Sequence, residues 1–167
     1  MIRDMLLKIS SEFSDAIKED YVGHPLANYI RTEAPRILKD AVTEKFKFYQ
    51  TKGGCGQDKW ANIRGAWVGV FMPEVTSGMS KGYYLVYGFP SGTREIIFGL
   101  SQGYDEAEQD YKSNWENALE QSAVLMRLKV SKKFSDGFKT EKPQFKSIEN
   151  SKDKGYRVGY SHHKIYD

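Results

Sequence analysis

The sequence predicts an α+β fold, a small, strongly bent antiparallel or mixed sheet flanked by helices, in a single domain spanning residues 1–167. Three observations carry this expectation. From Gly53 to Gly103 the chain runs GGCGQDKWANIRGAWVGVF, MPEVTSGMSKGYYLVYGF and EIIFGLSQG, short apolar stretches rich in Gly, β-branched and aromatic residues, which suit strands and turns rather than a helix. Before that region, apolar residues recur every three or four positions. After it the helical spacing returns.

Taken in order, Ile2, Met5, Leu6, Ile9, Phe13 and Ile17 describe one face of an amphipathic helix. A second helical zone starts at Pro25 behind His24, which reads as a helix-start or packing residue; Pro35 is expected to end that segment and start another. Strands are expected at Lys45–Thr51, Ala66–Phe71, Tyr83–Phe89 and Glu95–Leu100. Turns fall at Pro73, Ser77-Gly78, Lys81-Gly82 and Pro90-Ser91-Gly92-Thr93. Tyr104 to Leu128 reads as one long helix with Asp105, Glu106 and Glu108 at its start, where the helix dipole favours acids. Phe145–Glu149 and Tyr156–Tyr160 are weak strand candidates, the latter expected to return to the sheet as an edge.

Composition narrows the function classes. The 167 residues are 40% apolar and 28% charged, ordinary for a soluble globular chain, but 14% aromatic, with eleven Tyr and three Trp. A single cysteine, Cys55, excludes an internal disulfide and a multi-cysteine zinc site; with no apolar run of membrane-spanning length and no secretory leader, a cytoplasmic location is expected. Arg127 to Asp167 holds eleven Lys and Arg against five Asp and Glu, whereas the preceding residues hold fourteen against seventeen. That asymmetry favours a polyanion at one end of the molecule, and a solvated tail is the competing reading.

Enzymatic constellations are missing. The glycine-dense GGCGQDKW lacks the Lys-Ser or Lys-Thr ending of a phosphate loop, and there is no G-x-S-x-G or H-E-x-x-H. His162 and His163 read as solvated residues or a phosphate contact of a basic terminus, and no metal or cofactor is expected. Cys55 has no histidine nearby in sequence and reads as unreactive. What remains is a binding surface. Trp and Tyr offer flat faces for a nucleobase, glycines allow close backbone approach, and Lys52, Lys59, Arg64, Lys81 and Arg94 are candidates to meet phosphates. Burial of Trp67, Tyr83, Tyr84 and Tyr87 in the core is the alternative.

The order HPLANYIR, GGCGQDKWANIRGAWVGVF, SKGYYLVYGF, IIFGLSQG, a long helix and a closing KGYRVGYSHHKIY resembles the McrB-like N-terminal domain family. In that family a stretch of the type S-x-G-x-G-x-W-A-x-x-P-W-I-A-I-F precedes G-Y-Y-I-V-Y-L-F and L-x-L-x-Q-G, and a G-Y-x-x-G motif closes the domain. The resemblance runs from about His24 to Tyr166, with Ala66 where the family commonly has proline. It implies the DNA-binding specificity domain of a modification-dependent, McrBC-like restriction system. Such a domain recognises a modified cytosine of the 5-methylcytosine type in duplex DNA by flipping the base into an aromatic pocket.

The resemblance also implies roles. Trp67 and Tyr84 correspond to the pocket walls, with Val68 and Tyr83 beside them; Gly54, Cys55, Gly56, Gln57, Lys59 and Trp60 correspond to the loop that approaches DNA. Phosphate contacts are expected from Lys52, Arg64, Lys81, Lys132 and Lys133. The implied domain is no enzyme: cleavage belongs to an AAA+ GTPase motor in cis and an McrC-like nuclease in trans. An RNA-reading domain for a modified base and a protein-interaction module are the alternatives.

Overall fold

A computed structural model describes residues 1–41, 48–61, 65–130, 132–144, 155 and 157–167. Among the described residues it contains one five-stranded antiparallel sheet, open rather than closed, with helices before its first strand and between its last two strands in the chain. Helix α1 (Ile2–Ala16) turns Met5, Ile9, Phe13 and Ala16 inward, the face its apolar spacing dictates. Helix α2 (Pro25–Asn28) begins where His24 accepts the backbone N–H of Leu26 at 3.1 Å, with Pro25 in the first turn, where its missing N–H costs nothing.

The expected break at Pro35 does not occur. The chain passes through a π-helical turn at Tyr29–Glu33 and continues as α3 (Ala34–Ala41). Proline removes one N–H from the ladder, and directly after a widened turn that ladder is already interrupted, so the helix absorbs it. The same bulge meets the sheet at close range: a β-carbon on Gly53 would lie 1.9 Å from the Ile30 carbonyl oxygen. Only glycine permits this approach.

The sheet orders its strands β1 (Gln50–Gly54), β4 (Ala66–Phe71), β5 (Tyr83–Phe89), β6 (Ile96–Gln102) and β7 (His162–Tyr166), while β2 (Gly56–Gln57) and β3 (Lys59–Trp60) form a separate two-stranded ribbon. The expected strands β4 and β5 match in full. The first expected strand starts later than its alternation suggested, at Gln50, and Lys45 to Lys47 lie outside the described residues. Phe145–Glu149 also lies outside them.

Two corrections concern the second half. Tyr104 to Leu128 is not one helix but α4 (Asp105–Tyr111), a 3₁₀ turn (Lys112–Asn114) and α5 (Trp115–Lys129), broken where Lys112 takes φ +50°. Folding α5 back against α4 buries Ala107 and Leu119 together with Tyr104 and Val158, burial that a straight helix forgoes. The closing strand is β7, not Tyr156–Tyr160: Arg157–Gly159 is helical. The expected return of the tail to the sheet edge is nevertheless observed. Short α6 (Lys132–Ser135) lies in the intervening segment.

Burial follows the strand alternation. One face of the sheet carries Ala66, Val68 and Phe89 into a core shared with α1, α2 and α3; the other carries Phe71, Tyr84, Val86 and Ile97 against Tyr160. His162 and His163, expected at the solvated end, are buried on β7, and the Nδ1 of His163 has no hydrogen-bond partner among the described residues. Desolvation pushes both imidazoles below their ordinary pKa.

Two outcomes are expected. Gly53→Ala lowers stability by roughly 1–3 kcal/mol through overpacking against the Ile30 carbonyl, read as a fall of several degrees in the thermal midpoint. Because the two histidines have depressed folded pKa values, their stabilising contribution is complete above the unfolded value near about 6.5 and is lost as pH falls below it. Thermal midpoints measured from pH 8 to pH 5 should therefore fall through that window, less steeply in His163→Gln.

Candidate nucleic-acid interface

Trp67 stands near the start of β4, one strand in from the β1 edge, on the sheet face turned away from α1, α2 and α3. Its cross-strand partners are Gly54 on β1 and Gly88 on β5, so neither directly paired residue carries a side chain. A β-carbon on Gly54 would lie 2.7 Å from the indole, which therefore rests against bare backbone. Phe71 meets the indole edge-on at 6.1 Å, and Tyr84 tilts against Phe71 at 5.4 Å. Trp67 is half-buried, whereas Tyr84 is 3% exposed and donates its hydroxyl to the Met79 carbonyl at 3.3 Å. On the far side of Gly88 an added β-carbon would meet the Tyr160 hydroxyl at 3.4 Å.

The four expected pocket residues divide between two faces. Trp67 and Tyr84 share the aromatic cluster described above. Val68 is fully buried among the helices on the opposite face, and Tyr83 is held by the Ser122 carbonyl at 2.9 Å and the Ser122 hydroxyl at 2.5 Å. Consecutive strand residues point to opposite sides of the sheet, so neither pair of neighbours converges.

The glycine loop is a short finger. Gly56 takes φ +127°, and a β-carbon there would lie 2.0 Å from the Lys59 carbonyl; Asp58 takes φ +58° at the tip. Gln57, Asp58 and Lys59 are exposed. Cys55 and Trp60, two residues expected on the DNA-approaching loop, are instead its roots: Cys55 is wholly buried, and Trp60 packs against Phe13, Tyr21 and His24 while donating its indole N–H to the Glu19 carbonyl at 2.9 Å. An apolar sulfur and a large ring are both better buried than held in water. Two residues outside the expected set complete the support. The Tyr21 hydroxyl donates to the Gly56 carbonyl at 2.7 Å, and Arg31 donates to the same carbonyl at 2.6 Å.

The expected phosphate contacts are dispersed. Lys52 is exposed on the Trp67 face and donates to the Ser77 carbonyl, Lys81 is exposed in the turn before β5, and Lys132 and Lys133 are exposed on α6. Arg64 lies outside the described residues. Clefts among the described residues include two near the expected site residues. One of about 240 Å³, lined by Tyr83, Gln102, Glu106, Asp110 and Ser122, has an acidic rim unsuited to a polyanion. The other, about 520 Å³, runs beside the finger along Glu19, Asp20, Tyr21, Asp58, Lys59 and Trp60. Among the described residues, no group of three His, Cys, Asp or Glu is placed to hold a metal ion.

Burial pushes the Cys55 thiol up to about 11, against a smaller opposing effect of Arg31. The folded chain is accordingly expected to resist iodoacetamide at pH 8 and to react stoichiometrically once unfolded in guanidinium, as read by mass spectrometry.

The family model described as MrcB-like, N-terminal domain matches residues 8–167. No curated protein and no solved structure matched the chain. Among the described residues, no helix is long and apolar enough to cross a membrane. With a match that spans all but the first seven residues, the chain belongs to the McrB-like N-terminal domain family, which supports a DNA-binding domain of McrB-type restriction.

Proposed function

We propose that this domain recognises a modified cytosine of the 5-methylcytosine type in duplex DNA by rotating the base out of the helix and stacking it on Trp67. The observation that carries the reading is the setting of Trp67, a half-buried indole between two glycines on the sheet face turned away from the first three helices. A planar ligand needs a flat apolar platform, and paired glycines on both neighbouring strands keep directly opposed side chains away from the indole. Tyr84 and Phe71 support the platform from one end. The anchored finger, with Gln57, Asp58 and Lys59 at its exposed end, is suited to enter the duplex and occupy the space that the base leaves.

The energetics favour extrusion for this task. A methyl group on cytosine changes little of the major-groove surface, whereas a base taken out of the stack is contacted on every side. Extrusion costs a few kcal/mol, and aromatic stacking offsets it with roughly 1–3 kcal/mol per base. Basic residues, including Lys52, Lys81, Lys132 and Lys133, anchor phosphates without reading sequence. The domain has no catalytic role in this reading: cleavage belongs to a separate GTPase motor and an McrC-like nuclease, neither of them within these 167 residues, and the setting is the cytoplasm.

Binding to duplexes that differ in one base tests the proposal. The duplex with a modified cytosine should bind more tightly than its unmodified twin; equal affinity across 5-methylcytosine, 5-hydroxymethylcytosine, 4-methylcytosine and unmodified cytosine contradicts it. Trp67→Ala is expected to cost about 5- to 150-fold in affinity for the modified duplex, the equivalent of the stacking energy, while the fold, read by circular dichroism, stays intact. Lys132→Ala with Lys133→Ala should weaken all duplexes alike and flatten the salt dependence.

A further inference from the structure

Among the described residues, Arg31 is the cation that donates to a backbone carbonyl of the finger. Its Nη2 donates both to the Gly56 carbonyl, at 2.6 Å, and to the Tyr21 hydroxyl, and its guanidinium carbon lies 5.0 Å from the centroid of the Tyr21 ring. These contacts fix the plane of the group. A guanidinium has five N–H donors in a rigid fork. Both bonds run through Nη2, so the Nε and Nη1 donors of Arg31 have no partner among the described residues.

The charge is likewise uncompensated locally. Among the described residues no carboxylate lies within ion-pair distance of Arg31, and Glu33, two positions along the helix, is held by Arg36 at 2.7 Å. Three other cations of the helical region differ: Lys8 is paired with Glu12, Lys18 with Asp15, and Arg36 with Glu33 and Asp40. Neither Arg31 nor Gly56 lines the acidic groove beside the finger. Arg31 is exposed, and Gly56 is only two residues, about 7 Å of strand, from the Asp58 tip.

We infer that Arg31 is a binding site for a backbone phosphate of the DNA and that the same guanidinium holds the finger at the depth set by that phosphate. The open side of the fork takes the phosphate oxygens while Nη2 keeps the Gly56 carbonyl, so one group links the phosphate to the finger. A lysine in its place keeps the charge and lacks the second direction of donation. This inference rests on the DNA-reading proposal above and adds to it a specific contact and a coupling.

The test uses the intact chain with Arg31→Gln, Arg31→Lys and Tyr21→Phe, titrated against a duplex carrying one 5-methylcytosine and its unmodified twin over a range of salt. Arg31→Gln is expected to weaken both duplexes and to reduce the slope of log affinity against log salt by about 1, the signature of one lost phosphate contact. Arg31→Lys should restore the slope without restoring the preference for the modified duplex, and Tyr21→Phe should leave the slope as in the wild type. A wild-type slope in Arg31→Gln overturns the phosphate site, and wild-type preference in Arg31→Lys overturns the coupling to the finger. Failure of the wild-type chain to bind either duplex removes the underlying DNA reading, a result separable from both.

Discussion

The pairing register of β4 governs which side chains this domain can offer to a ligand. With Trp67 opposite Gly54 and Gly88, the indole emerges on the face away from the first three helices, and Val68, one residue later, fills the core beneath them. A slip of one position exchanges the two, sealing the tryptophan under the helices and turning a valine outward. Several contacts hold the register against that slip: the buried Ala66 and Val68 on one side, Phe71 on the other, and the approach of Gly53 to the Ile30 carbonyl, which no larger residue allows. The half-buried setting of Trp67, on which the proposed function rests, is therefore a consequence of how the core packs.

The finger depends on the same packing. It is a ribbon of two very short strands, too small to be stable alone. Its roots supply what the ribbon lacks: Cys55 and Trp60 are buried in the helical core, and the Gly56 carbonyl receives donors from both Tyr21 and Arg31. The π-helical turn at Tyr29–Glu33 contains Arg31 and faces the sheet at Gly53, so one irregularity in a helix serves both the strand register and the finger. Such bulges are frequent at functional sites, and this one has a structural reason as well.

The central strands were legible because their alternation is strong: AWVGVF and YYLVYGF carry apolar or aromatic residues on both faces between clear turn signals. The same period of two already separates Trp67 from Val68 and Tyr83 from Tyr84, so the split of the expected pocket residues was present in the sequence. Other features were not. Tyr111 and Trp115 keep helical spacing across the break at Lys112, which only the packing of α5 on α4 reveals. His162 and His163 sit among basic residues yet are drawn inside by pairing of β7 with β6. Arg31 carries no signal of its own in the sequence, and its contact with the finger emerges only when the chain brings Gly56 beside it from twenty-five positions away.

The most direct test of the central claim is tryptophan emission on addition of a duplex carrying one 5-methylcytosine. Stacking of an extruded base on Trp67 predicts quenching that exceeds that by the unmodified duplex and disappears in Trp67→Phe. Quenching that persists unchanged in Trp67→Phe, or emission unaltered by a duplex the chain demonstrably binds, would contradict it.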